Sequence, residues 1–240
     1  MCEVCGCGDA RRVAIDVHAP LLEVNDREAE HLREHFVSAG ILALNVMGSP
    51  GAGKTALLEA TARALGGRLR LAAVSGDLAT ELDAERLRGA GIVSAPITTG
   101  SACHLEASMV HDALHDSRLS AAARNADIFF IENVGNLVCP AIYDLGQAAN
   151  VVVVSVTEGV DKPLKYPVMF RKADLVVLSK IDLLPYLPGV SLDVFAAHLE
   201  RVTPSAELLP VSALTGAGVA DFVSWLEGRR PLERAGIRRG

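Results

Sequence analysis

Residues Gly48-Ser49-Pro50-Gly51-Ala52-Gly53-Lys54-Thr55 spell G-x-x-x-x-G-K-T between an apolar run, Ile41 to Met47, and a helix-forming run beginning Ala56-Leu57-Leu58-Glu59-Ala60. No other feature restricts the fold as much, because such a loop needs a buried strand before it and a helix after it. Its glycines let backbone N–H groups turn inward around phosphate oxygens, and the helix start adds partial positive charge. Lys54 is expected to neutralise the β and γ phosphates of a nucleotide, and the Thr55 hydroxyl to complete a Mg²⁺ shell.

The rest of the chain repeats the strand-then-helix order. Further strands are predicted near Leu71–Val74, Ile92–Ile97, Ile128–Glu132, Val151–Thr157, Leu175–Ser179 and Leu208–Val211, and helices over Ala79–Leu87, Leu105–Leu114 and Val219–Trp225. That alternation predicts an α/β fold, a P-loop NTPase with a mostly parallel sheet covered by helices on both faces. With 240 residues, 50% of them hydrophobic, the chain can bury one such core. Asn25 is expected to cap a first helix whose Ala29, Leu32, Phe36 and Val37 share a face and which ends at Gly40. The expected organisation is a cysteine-bearing segment and linker over 1–24, a nucleotide-hydrolase domain over 25–228, and a basic, solvated tail over 229–240.

The base is predicted from two later elements. Ser179-Lys180-Ile181-Asp182 resembles the [N/T/S]-K-x-D element of GTP-binding proteins, in which the carboxylate accepts from N1 and N2 of guanine, and Val211-Ser212-Ala213-Leu214 resembles the S-A-[K/L] loop whose backbone meets the guanine carbonyl. Lys180, Asp182, Ser212 and Ala213 are thus expected at the base, and adenine offers no matching donor pair. Ser179 stands where asparagine is commoner, so a bracing interaction is expected to be weaker. Asp77, after one strand, and Glu132, after another, are expected to reach the Mg²⁺ or its water shell, because strand C-termini face the ligand crevice. Gly135, in Glu132-Asn133-Val134-Gly135, resembles the D-x-x-G glycine whose N–H follows the γ-phosphate. Lys54, Thr55, Asp77 and Glu132 form the expected catalytic set.

All five cysteines fall at Cys2, Cys5, Cys7, Cys103 and Cys139, with His104 directly after Cys103. An odd cysteine number argues against a disulfide framework and for thiols kept for chemistry. The net charge of −6 disfavours nucleic acid as a partner, no run is long and apolar enough to span a membrane, and the N-terminus lacks the order of a secretory signal, so the chain is expected in the cytoplasm. His111 and His115, one helical turn apart, have metal-binding spacing but read first as a solvated helix face.

These segments together resemble the nickel-incorporation GTPases of hydrogenase maturation, the HypB family. The resemblance rests on Met1-Cys2-Glu3-Val4-Cys5-Gly6-Cys7, the phosphate loop, Gly76-Asp77-Leu78-Ala79-Thr80, Cys103-His104-Leu105, Ile131 through Pro140, Asp161 through Pro167 and Lys180 through Pro185. It implies a GTPase of the SIMIBI class, slow and switch-like, that dimerises on GTP or metal binding. It also implies Ni²⁺ delivery to the large subunit of [NiFe]-hydrogenase together with the zinc-containing protein HypA. By the same resemblance Cys2, Cys5 and Cys7 hold nickel tightly, and Cys103, His104 and Cys139 form a weaker nickel or zinc site. Only His18 lies between Cys7 and Asn25, so no histidine-rich store is expected, and Asp116 to Asn125 looks longer than the family pattern. The alternatives are the urease-type nickel GTPase, which typically has Cys-Pro-His where this chain has Cys139-Pro140-Ala141, and a GTP-dependent regulator with structural zinc. A P-loop kinase with ATP preference is a further one.

Overall fold

The computed structural model describes the backbone of residues 10–231 and the side chains of residues 22–231. Its strands are β1 (Leu42–Gly48), β2 (Leu71–Asp77), β3 (Val93–Thr98), β4 (Ile128–Glu132), β5 (Ala149–Ser155), β6 (Leu175–Ser179) and β7 (Glu207–Val211). They form one sheet in the order β3-β2-β4-β1-β5-β6-β7, and every paired neighbour runs parallel. The helices are α1 (Ala10–Ser38), α2 (Lys54–Leu65), α3 (Leu82–Gly89), α4 (Ala107–Leu114), α5 (Ser120–Asn125), α6 (Lys162–Lys165), α7 (Pro167–Arg171), α8 (Leu192–Val202) and α9 (Val219–Gly228). Among the described residues, none is long and apolar enough to cross a membrane.

Side chains of a strand alternate between faces, and β1 uses both. Leu42, Leu44 and Val46 pack with Leu57 and Leu58 of α2 and Phe222 and Leu226 of α9. Ala43 joins Leu32 and Phe36 of α1, Val110 of α4 and Phe129, whose ring lies 5.3 Å from that of Phe36. A third cluster sets Met47, Val152 and Val154 against Phe170 of α7 and Phe195 of α8. Both faces are therefore closed, and the strand C-termini remain to hold a ligand.

Four expectations change. The first helix begins at Ala10, so helix crosses the expected boundary at 24/25 where a linker was predicted. Asn25 lies inside that helix, 6% exposed, and serves another one: its Oδ1 accepts from Ala107 N at the start of α4 (2.9 Å), and its Nδ2 donates to the Asp144 carbonyl (2.9 Å). Val156 and Thr157 leave the predicted strand for a 3₁₀ turn capped by Ser155. The first residues of the predicted tail are docked: the Arg229 guanidinium lies 4.3 Å over the Trp225 ring and Arg230 reaches Asp127 at 3.4 Å. Residues 1–9 and 232–240 lie outside the described part, and with them Cys2, Cys5 and Cys7.

Asp127, 3% exposed, pins the start of β4 to the start of β2 by accepting from Arg70 N (2.8 Å), Nε (3.1 Å) and Nη2. Burial raises its pKa, but the Arg70 hydrogen bonds outweigh burial and hold it below the ordinary value. A depressed folded pKa contributes stability that is present above the unfolded value and lost as pH falls through the folded one. Asp127→Ala is expected to cost about 2 kcal/mol in urea unfolding at pH 7, a difference that shrinks below about pH 4.

Candidate functional site

The loop between β1 and α2 borders a cavity of about 420 Å³ at the C-terminal edge of the central strand. Gly48 is required there: its φ is 153° and an added Cβ would sit 2.2 Å from the Val153 carbonyl oxygen of β5. Gly51 and Gly53 also hold positive φ, which lets the intervening N–H groups converge. Lys54 is 8% exposed and donates only long bonds to the carbonyls of Gly48 (3.3 Å) and Ser49 (3.4 Å). Burial lowers its pKa against the opposing pull of Glu132, Asp83 and Glu158. The Ser49 hydroxyl donates to Glu158 of the turn after β5.

Beside the lysine, Thr55 faces two carboxylates, Glu132 at 2.6 Å and Asp83 of α3 at 2.9 Å, and Ser75 donates to the other oxygen of Glu132 at 3.2 Å. Glu132 is 2% exposed and burial pushes its pKa up, although Thr55, Lys54 and Ser75 pull it back. One hydroxyl proton cannot satisfy two carboxylates, and a set of hard oxygens with surplus negative charge fits Mg²⁺. Asp77 lines the same cavity, but its oxygens accept from Ala79 N (3.1 Å) and the Thr80 hydroxyl (3.0 Å) of its own loop. Asp83 was not found from sequence, since a helical carboxylate 28 positions from Thr55 belongs to no spaced motif.

The loop expected to meet the base is braced against the phosphate loop. The Ser179 hydroxyl donates to the Ala52 carbonyl at 2.5 Å, and Lys180 Nζ to the Gly51 carbonyl at 2.7 Å, tying this loop to the phosphate loop. Among the described residues Lys180 is the one non-glycine with positive φ, 60°. That conformation costs about 1–2 kcal/mol and is held by the loop-to-loop bonds. Asp182 accepts from the Ser212 hydroxyl, and Ser212 is fully buried with Ala213 following it.

Cys103, His104 and Cys139 come together with their ligand atoms all within 4.8 Å of one another, although 36 residues separate the thiols. The sulfurs are 2.9 Å apart, and the His104 ring stacks on Tyr143 at 3.8 Å. His104 Nε2 is buried without a hydrogen-bond partner; Glu106, at 3.6 Å, is beyond reach. Two thiols and an imidazole with an orphaned nitrogen are a soft donor set open to a fourth ligand.

The two sites share a loop. Asn133 N and Asn136 N donate to the Val46 and Gly48 carbonyls of β1 at 3.0 Å each. The Asn133 side chain accepts from Leu105 N at 3.1 Å and donates to Asn45 at 3.1 Å, and Asn136 Nδ2 donates to the Cys103 carbonyl at 3.2 Å. Gly135 presses on Pro50, where a Cβ would come within 2.9 Å of the proline Cα.

A profile of CobW/HypB/UreG nucleotide-binding domains matches residues 42–210. The hydrogenase maturation factor HypB of Rhizobium leguminosarum bv. viciae is 47% identical over 220 residues, covering 92% of this chain and 72% of that protein. The chain belongs to the HypB family. A solved structure of HypB from Helicobacter pylori in complex with nickel superposes with a TM-score of 0.80 at 40% identity, covering 88% of this chain and 95% of that one. The signal recognition particle 54 kDa protein of Aeropyrum pernix K1, with GDP, shares the fold at a TM-score of 0.53 and 16% identity. The family's nucleotide-binding domain is therefore set on the α/β P-loop fold expected from the sequence, and the chain is a hydrogenase-maturation GTPase by family.

Proposed function

We propose that this chain is a GTP-switched nickel metallochaperone that passes Ni²⁺ to the large subunit of [NiFe]-hydrogenase. The observation that carries this reading is the single loop from Glu132 to Cys139, which borders the cavity at one end and supplies a thiol ligand at the other, with Asn133 and Asn136 bonded toward both. In this reading Lys54 exchanges its two long carbonyl bonds for phosphate oxygens, and the N–H groups of Gly51 to Thr55 and of Gly135 receive the phosphates. Thr55, Glu132 and Asp83, with Asp77 on the same wall, would hold Mg²⁺, which supplies neutralisation of charge on the transferring phosphoryl group. Glu132, shielded from solvent by Thr55 and Ser75, orients that edge of the site, and GTP hydrolysis to GDP and phosphate moves the Gly135 segment off Pro50.

Nickel enters as cargo. Cys103, His104 and Cys139 would hold Ni²⁺ or Zn²⁺ weakly, and Cys2, Cys5 and Cys7 would hold Ni²⁺ more tightly, nitrogen and thiolate donors suiting a square plane. The nickel-bound Helicobacter pylori relative supports this choice of metal. Exposed Leu78, Leu82, Val138, Ile142 and Leu164 give a second copy of the chain apolar surface near the nucleotide and metal loops, supporting a homodimer. HypA, as companion, and the hydrogenase large subunit, as acceptor, are the proposed partners, in the cytoplasm.

The test is a titration of Ni²⁺ and Zn²⁺ into the full chain, alone, with GDP and with a nonhydrolysable GTP analogue, for wild type, Cys2→Ala and Cys139→Ala. Cys139→Ala is expected to remove an equivalent whose affinity nucleotide shifts by roughly 5–150-fold. Cys2→Ala is expected to remove a nickel site with a thiolate-to-nickel absorption band. Two sites that neither prefer nickel nor respond to nucleotide would overturn the reading and leave the cysteines structural.

A further inference from the structure

A second group of metal-ligating side chains lies away from the cysteines. His31 and His35 of α1 and His111 and His115 of α4 line one cavity of about 300 Å³, floored by the buried Leu32 and Leu114. His111 and His115 are exposed, and their Nε2 atoms are 3.4 Å apart with the rings edge to face. Two nitrogens each about 2.1 Å from a shared ion and separated by that distance subtend roughly 110°, a tetrahedral bite. The rings converge because one Nε2–H donates to the other Nε2, and a cation bound to both nitrogens would replace that hydrogen bond, the donor ring moving its proton to Nδ1.

We propose that His111 and His115, joined by His35 across the α1–α4 groove, bind a borderline divalent transition-metal cation, the wide bite favouring Zn²⁺ over square-planar Ni²⁺. The His111–His115 pair is already set. Among the described residues only Cys103, His104 and Cys139 present three ligand atoms mutually within 4.8 Å, so His35 closes on the ion by side-chain rotation and water completes the shell. Burial first, then the proximity of His111, His115 and Arg124, lowers the His35 pKa and favours the neutral ring that a metal requires. Arg124 on the rim opposes a cation, and Asp112, which with His115 lines the adjoining cavity, offsets it, Asp116 beside it being paired with Arg118. The site is independent of the cysteine ligands. An ion there would fasten α1, which leads from the N-terminal segment, to α4, which follows the Cys103–His104 loop.

The full chain, wild type and His111→Asn/His115→Asn, is titrated with Zn²⁺ and separately with Ni²⁺ by calorimetry, while histidine imidazole resonances are followed by NMR. The wild type is expected to take one more equivalent than the double variant, with the His111 and His115 resonances shifting. His35→Asn is expected to keep that equivalent but weaken it roughly tenfold. Zn²⁺ should also raise the wild-type melting temperature more than that of the double variant. Equal stoichiometry together with unmoved His111 and His115 resonances in the wild type for both ions overturns the site. Since the resonances are read on unaltered protein, a folding defect in the variant cannot imitate that result.

Discussion

Asp182→Asn is expected to turn the chain from guanine to xanthine nucleotides, with GTP affinity falling roughly 10³-fold and XTP binding rising to replace it. Two charge-assisted hydrogen bonds from guanine N1 and N2 to a carboxylate are worth about 1.5–3 kcal/mol each, and an asparagine turns one acceptor oxygen into a donor that faces a donor. Xanthine has a carbonyl where guanine has its amino group, so the amide regains a partner. The structure makes the swap local: Asp182 accepts from the Ser212 hydroxyl, which an amide oxygen can also accept, and the neighbouring Lys180 and Ser179 are anchored independently on the phosphate loop. Equilibrium binding of fluorescent GTP and XTP analogues checks it. Equal loss of both nucleotides would instead mean that Asp182 braces the loop without touching the base.

Lys54→Met separates stability from function. The Lys54 ammonium is 8% exposed, its pKa lowered by burial, and its bonds to Gly48 and Ser49 are long. Replacing a poorly solvated charge by an unbranched apolar chain of similar length relieves its desolvation but removes the cation that faces Glu132, Asp83 and Glu158, and with Glu132 free to take up a proton the nucleotide-free protein should melt close to the wild-type temperature. The same change removes the one lysine among the described residues that line the cavity and should lower GTP affinity roughly 10³-fold, with hydrolysis lost to a similar degree. Thermal melts with and without GTP read both effects: the nucleotide-induced rise seen in wild type should vanish. A variant that melts well below wild type without nucleotide would show that Lys54 supports the loop's fold.

The sheet and the phosphate loop were legible because each rests on contiguous residues: apolar runs for β1, β4 and β6, and an eight-residue motif for the loop. Cys103, His104 and Cys139 were legible as chemistry and from the family pattern, and the fold brings them within ligand distance. What stayed hidden depends on contacts across the chain. Asp83 meets Thr55 only because α3 packs against α2, Tyr143 meets His104 through a loop, and Asn25 satisfies the first N–H of α4 instead of its own helix. The early start of α1 was hidden for a local reason, since Pro20 and the glycine-rich beginning suppress the helical pattern before Asn25. The Ser179 bond to Ala52 was hidden because whether a side chain reaches that carbonyl depends on how two loops meet, which residue frequency does not convey.

Asn136 bonds by its backbone to Gly48 and by its side chain to Cys103, so one residue is held by both sites. A connection of that kind has no preferred direction. If GTP loosens the grip on a metal ion by some factor, the ion must loosen the grip on GTP by the same factor, whatever path carries the strain. Under the proposed function the metal is therefore an effector of nucleotide affinity, and a cell's nickel supply, by filling the thiols, would set how much of the chain holds the triphosphate.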